Sequence, residues 1–392
     1  MTVAMSRSHT DAPSERRPDL PALTGMRFIA ALLVFMSHLV FPLTMADQDP
    51  ATPFSDPVLS ERMMWFFFPA GTMALSFFFI LSGFVITWSA RPGERVREYY
   101  RRRMVKILPN HVVTWALAML LFAGAYTPLW GLPNLLLVNA FSPDPALWGG
   151  ANMPAWSLGP EMFFYLLFPL LIILIGKISE RRLWPWTGAV VAGMVAICLI
   201  TVFVISDADR FPGEELALTQ FWFSYMFPPS RLIEFVLGML IARIVMSGRW
   251  PRIGAAPAAV LLALAYVATL WVPAPYDQSL VTAVPFGLLV GSLATANLLG
   301  RKTVMGSGPM VWLGRASFGF FMTQSVVLFY LRPKVLGAAE YGVLGGILLI
   351  AGLILTNIVA GWLLFRLVEE PAMRRWSRPR NVMKETRQAP GR

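Results

Sequence analysis

Cysteine occurs once, as Cys198 within an apolar stretch, so no intrachain disulfide can form. Histidine occurs three times, at His9, His38 and His111, so the chain lacks a Cys/His set of zinc-site spacing and no metal is expected. Charge is the third scarcity. Asp, Glu, Lys and Arg make up 14% of 392 residues, against about 25% in soluble domains, while apolar residues reach 56%. That excludes a soluble domain of ordinary size and points to an integral membrane protein. No internal repeat is visible either, which weakens the case for a transporter built from inverted halves.

What the chain does have is long apolar runs. Windows of spanning length fall at about 22–42, 65–89, 111–128, 157–176, 183–205, 229–247, 254–272, 280–299, 311–331 and 342–367. The first is retained rather than removed, since it is long and lacks a small-residue cleavage site. Most of the 33 Lys and Arg sit in the tails and in alternate connections, which places both termini in the cytoplasm. Topology thereby accounts for the net charge of +11, and no nucleic-acid partner is expected. The expected fold is all-α: a polytopic bundle of about ten transmembrane helices at residues 21–372, multi-pass in the plasma membrane, with cytoplasmic tails 1–20 and 373–392. The connection at 129–155, rich in Pro, Gly, Asn and Trp, is expected to cover an outward-facing mouth.

The first span carries two ionisable groups, Arg27 and His38. Eleven residues at about 100° each put both on one helix face, about 16 Å apart along the axis. Ionisable groups at such depth usually face a protein interior or a polar path, although a histidine that only packs and bonds to a carbonyl is the competing reading. Four further clusters stand out. In Arg97–His111, Arg103 and Lys106 share a helix face suited to phosphate, or to anionic lipid head groups. Ser76, Ser82 and Gly83 lie in an aromatic span, where close helix packing competes with a cavity wall on the Ser82 side. Trp156, Ser157, Glu161 and Tyr165 open the fourth window, with Trp156 read as an interface anchor and Glu161 as a carboxylate below the outer boundary. Arg231 and Glu234, three apart, form either an intrahelical ion pair or part of a substrate site.

With His38, Glu161, Arg231 and Glu234 in the outer half, and Arg27, Arg103 and Lys106 in the inner half, one long ligand with a phosphorylated head fits both groups. Acyl-coenzyme A has that shape. Attack on its thioester by an alcohol needs a base, which His38 suits because imidazole titrates near neutrality, and a carboxylate such as Glu161 could fix its tautomer.

At these residues the chain resembles the acyltransferase-3 family of membrane O-acyltransferases. The resemblance runs through Arg27-x10-His38, FFFILSGF at 77–84, RMVK…P at 103–109, WSLGPE at 156–161, RLIEFVLG at 231–238, LGRASFGFFMTQ at 313–324 and VEEP at 368–371. It implies a ten-helix bundle that moves a short acyl group, such as acetyl, from cytoplasmic acyl-CoA to a hydroxyl of a sugar, polysaccharide or natural product. His38 would be the base, and the Arg103–Lys106 face would lie near the coenzyme phosphates, with Arg27 and Ser82 also on the donor side. Acyl-CoA is then a co-substrate, with no permanently bound cofactor. Two departures stand out: Lys106 where the family commonly has a second arginine, and Gln324 where many members carry histidine. The TWSARPG and KILPNHVVTW stretches are most similar to actinobacterial members, including macrolide acyltransferases. A transporter or flippase of a glycan or acyl donor is the alternative function, and a lipid-binding scaffold ranks behind both.

Overall fold

The structure, a computed structural model, describes residues 17–40, 52–91, 93–121, 128–212, 214–337 and 339–377. Most of the N-terminal tail and the C-terminal tail beyond Ser377 lie outside the described residues. Among those residues the chain is all-helical, with one isolated bridge between Phe54 and Tyr341 and no strand.

A long helix lies in each apolar window: α1 (Pro21–Val40), α2 (Pro57–Ser89), α3 (Val96–Leu121), α4 (Leu158–Gly176), α5 (Leu183–Phe203), α6 (Pro228–Met246), α7 (Ala255–Thr269), α8 (Leu280–Leu298), α9 (Gly308–Ser325) and α10 (Val343–Leu364). Among the described residues, seven helical stretches, built on α1, α2, α3, α4, α5, α8 and α10, are long and apolar enough to cross a membrane. The others fall short for visible reasons: α6 carries Arg231, Glu234 and Arg243, α7 has 15 residues, and α9 is interrupted by Arg315 and small polar side chains. Outward faces of α5 and α10 expose Leu199, Val202, Leu348 and Leu355, as a lipid-facing surface requires.

Two helices start earlier than their apolar windows. Asp56 caps α2, its Oδ1 accepting from the backbone N–H of Val58 at 2.9 Å and of Leu59 at 3.4 Å, and Pro57 fits the first turn. α3 begins at Val96, so the basic stretch is itself helical, and Arg103 and Lys106 do share a face.

The centre of the bundle is the crossing of α2 and α6. A Cβ added at Gly83 would lie 1.9 Å from the Phe235 carbonyl oxygen, and one at Gly238 would lie 1.9 Å from that of Ile80. The two backbones touch, so Gly83 serves close packing. Gly83→Ala should therefore lower stability by about 1–3 kcal/mol as the helices are pushed apart. Gly188→Ala, where a Cβ meets nothing within 4 Å, should not. Thermal unfolding of the two variants in the same detergent checks this.

Apolar side chains form two buried clusters. The larger joins α2, α4, α6 and α8, and the second joins α1, α9 and α10 through Phe28, Phe35, Phe320 and Leu353. Phe78 packs against both. The 128–157 connection folds into short helical turns, pinned to the bundle where Asn152 Nδ2 donates to the Met322 carbonyl at 3.2 Å and Trp222 Nε1 to that of Ala140 at 2.9 Å.

Candidate active site

Between α1, α2, α3, α4 and α9 lies a cavity of ≈ 120 Å³. It collects seven residues singled out from the sequence: Arg27, Ser82, Arg103, Lys106, Ser157, Glu161 and Tyr165. Ser82 projects from the face of α2 next to its Gly83 contact, so one turn of helix both packs and lines the cavity.

Its polar floor is a tight cluster. The Tyr165 hydroxyl donates to Glu161, and Ser82 Oγ lies 3.3 Å from Glu161 Oε1 and 3.2 Å from the Tyr165 hydroxyl. Arg103 stacks its guanidinium over the rings of Tyr165, at 5.6 Å, and Tyr99, at 5.8 Å, and donates to Ser89 Oγ at 3.4 Å. Its Nε is buried without a hydrogen-bond partner. Arg27 has no hydrogen bond or ion pair among the described residues. The cavity thus holds two cations, Arg27 and Arg103, with no carboxylate paired to either.

Lys106 is different. It is ion-paired to Glu369, a carboxylate only 1% exposed, which also accepts from Asn110 Nδ2 at 2.7 Å. Both side chains of the expected Arg103–Lys106 face line the cavity, and Lys106 is held there by a carboxylate partner. Glu369 and Asn110 were missed from the sequence. The one signal was a carboxylate, in VEEP, at the end of the last apolar run.

His38 does not line the cavity. Its side chain is half-buried, between the buried Ser37 and Leu39 of α1. Gln324 of α9 is the side chain that faces it, and the Phe329 ring lies 6.4 Å away. His38 Nδ1 and Gln324 Oε1 are buried without a hydrogen-bond partner within 3.5 Å. Glu161 is engaged by Ser82 and Tyr165 and makes no hydrogen bond to His38. The carboxylate that was to fix the imidazole tautomer does not do so here, and Gln324 occupies that neighbourhood instead.

Three other residues also sit elsewhere. Trp156 is 9% exposed and packs on Tyr225 at 5.3 Å, so it is a buried packing residue rather than an interface anchor. Arg231 and Glu234 form an ion pair at 3.1 Å, each side chain 1% exposed. Arg231 Nη2 also donates to Ser76 Oγ at 2.9 Å, and its guanidinium lies over Phe79 and Tyr225. The polar pocket beside the pair has ≈ 10 Å³, room for about one water.

Beyond that pocket, in the loop before α8, burial and the nearby Glu215 push the Asp277 carboxyl up to about 6. The folded protein then holds this proton more tightly than the unfolded chain, so stability falls as pH rises from about 4 through 6. Asp277→Asn should raise the melting temperature at pH 8 and leave it unchanged at pH 4. Melting curves at the two pH values test this.

Fold and cavity together define a polytopic helical membrane protein with a cationic cavity set among its helices. The chain belongs to the acyltransferase-3 family, whose Acyltransferase domain matches residues 20–366. It is 37% identical over 375 residues to Acyltransferase MdmB of Streptomyces mycarofaciens, covering 93% of this chain and 94% of that one. It is 25% identical over 328 residues to the exopolysaccharide production protein ExoZ of Rhizobium meliloti (strain 1021), covering 79% and 91%. No solved structure matches. The protein is an acyltransferase embedded in a membrane.

Proposed function

We propose that the protein is a plasma-membrane O-acyltransferase that moves a short acyl group from cytoplasmic acyl-CoA to a hydroxyl of a sugar, polysaccharide or natural product such as a macrolide. All ten long helices would span the bilayer, with both termini in the cytoplasm. The observation that carries the reading is the intramembrane cavity with Arg27 and Arg103 unneutralised. Such a site favours a multiply anionic head, and apolar walls such as Phe79 and Leu81 suit the pantetheine arm. In the reaction the acceptor oxygen bonds to the thioester carbonyl carbon and the C–S bond breaks. His38 takes the hydroxyl proton and returns it to the leaving sulfur. Gln324 positions the ring, and Glu161 holds Ser82 and Tyr165 in place along the arm.

Purified protein in lipid nanodiscs, given acetyl-CoA and a panel of glycans and macrolides, should release the free thiol and add one acetyl mass to an acceptor. Movement of a solute across sealed vesicles with no covalent change, and no thiol release, would replace this reading with transport.

A further inference from the structure

His38 does not line the cavity, but two rings of the cavity wall connect it to the residues around the imidazole. Phe78 of α2 and Phe321 of α9 both line the cavity and meet edge to face, centroids 6.0 Å apart at 65°. Phe78 is half-buried and packs into both apolar clusters, the second of which contains Phe35 and Leu39 on the two sides of His38 in the sequence. Phe321 stands one helical turn from Gln324, the residue facing His38, and its carbonyl accepts from Gln324 Nε2 at 2.9 Å.

We infer that Phe78 and Phe321 partition the cavity from His38 and form an aperture through which the donor's acyl group threads, so that they set the width of acyl group the enzyme accepts. The inference rests on the reading of acyl-CoA as donor and His38 as base. The partition consists of side chains, and an edge-to-face contact between two rings is weak enough to yield by rotation of either one. The helices behind them hold the rest of the slot fixed: α2 through its backbone contact with α6, and α9 through its packing on α1 and α10. A slot of this kind discriminates by cross-section. A straight chain passes where a chain branched next to the carbonyl is held back, whereas a blunt end wall would discriminate by length.

The test compares n-butyryl-CoA with isobutyryl-CoA, equal in carbon count and different in width, with acetyl-CoA as reference. Thiol release with water as acceptor is measured for the full chain in nanodiscs. In Phe78→Ala and Phe321→Ala the ratio of isobutyryl to n-butyryl turnover should rise about tenfold over wild type, the discrimination available to one methyl-sized group in an apolar pocket. Phe321→Leu should raise it less, and Phe321→Trp should lower it. An unchanged ratio in variants that still turn over acetyl-CoA overturns the aperture. So does an equal gain for both butyryl isomers, which would indicate an end wall. Loss of acetyl turnover in every variant, with the protein still monodisperse, also overturns it, because the rings would then be needed for something other than width selection. A wild-type protein that turns over none of the three donors refutes the acyl-CoA reading itself.

Discussion

Replacing His38 with alanine is expected to lower acyl transfer by about 10²- to 10⁴-fold, the range supplied by a positioned general base. The loss should fall on kcat and leave the KM for acyl-CoA near its wild-type value, because Arg27, Arg103 and the rest of the cavity lie apart from the imidazole. Steady-state thiol release from acetyl-CoA measures both. His38→Gln, which keeps bulk and a hydrogen-bonding side chain beside Gln324 but cannot take the proton, should be as inactive as alanine. Undiminished turnover in either variant would remove the base assignment and leave Glu161, already among the donor-side groups, as the next candidate.

The second large effect concerns stability. Arg231→Met should destabilise the bundle by about 3–5 kcal/mol, since it strands the Glu234 carboxylate without its counter-charge at a site 1% exposed. The loss is not the worth of the ion pair. Removing both charges, in Arg231→Met with Glu234→Leu, should restore most of the stability, because neither partner is then left alone in a low-dielectric interior. Thermal unfolding of the two single variants and the double variant closes the cycle. A double variant as unstable as the singles would mean that the pair also shapes the α2–α6 contact through Ser76.

How much of this was legible in the sequence follows from the range of each interaction. Hydropathy reports local burial, and each apolar window does carry a helix. It misplaced the starts of α2 and α3, where capping by Asp56 and a basic but helical turn extend the helix beyond the apolar run. The cavity residues came together because helical spacing and depth along a span are both readable within one helix. Pairings across the bundle were not. Glu369 and Lys106 are 263 positions apart, and nothing in either neighbourhood says that they meet. Glu161 was matched to His38 by chemistry alone; of its actual partners, Tyr165 lies one turn along the same helix and was legible, whereas Ser82 depends on how α2 and α4 are rotated. Trp156 reads as an interface anchor from its position at a helix start, and only the packing of Tyr225 against it puts it inside.

The Lys106–Glu369 contact has an implication for biosynthesis. Glu369 follows Lys106 by 263 positions and lies beyond α10, so the lysine is made long before its counter-ion. This part of the cavity wall is complete only once the segment after α10 has been synthesised and has folded back onto α3, so a truncation just before Glu369 should unsettle a site assembled from helices far upstream.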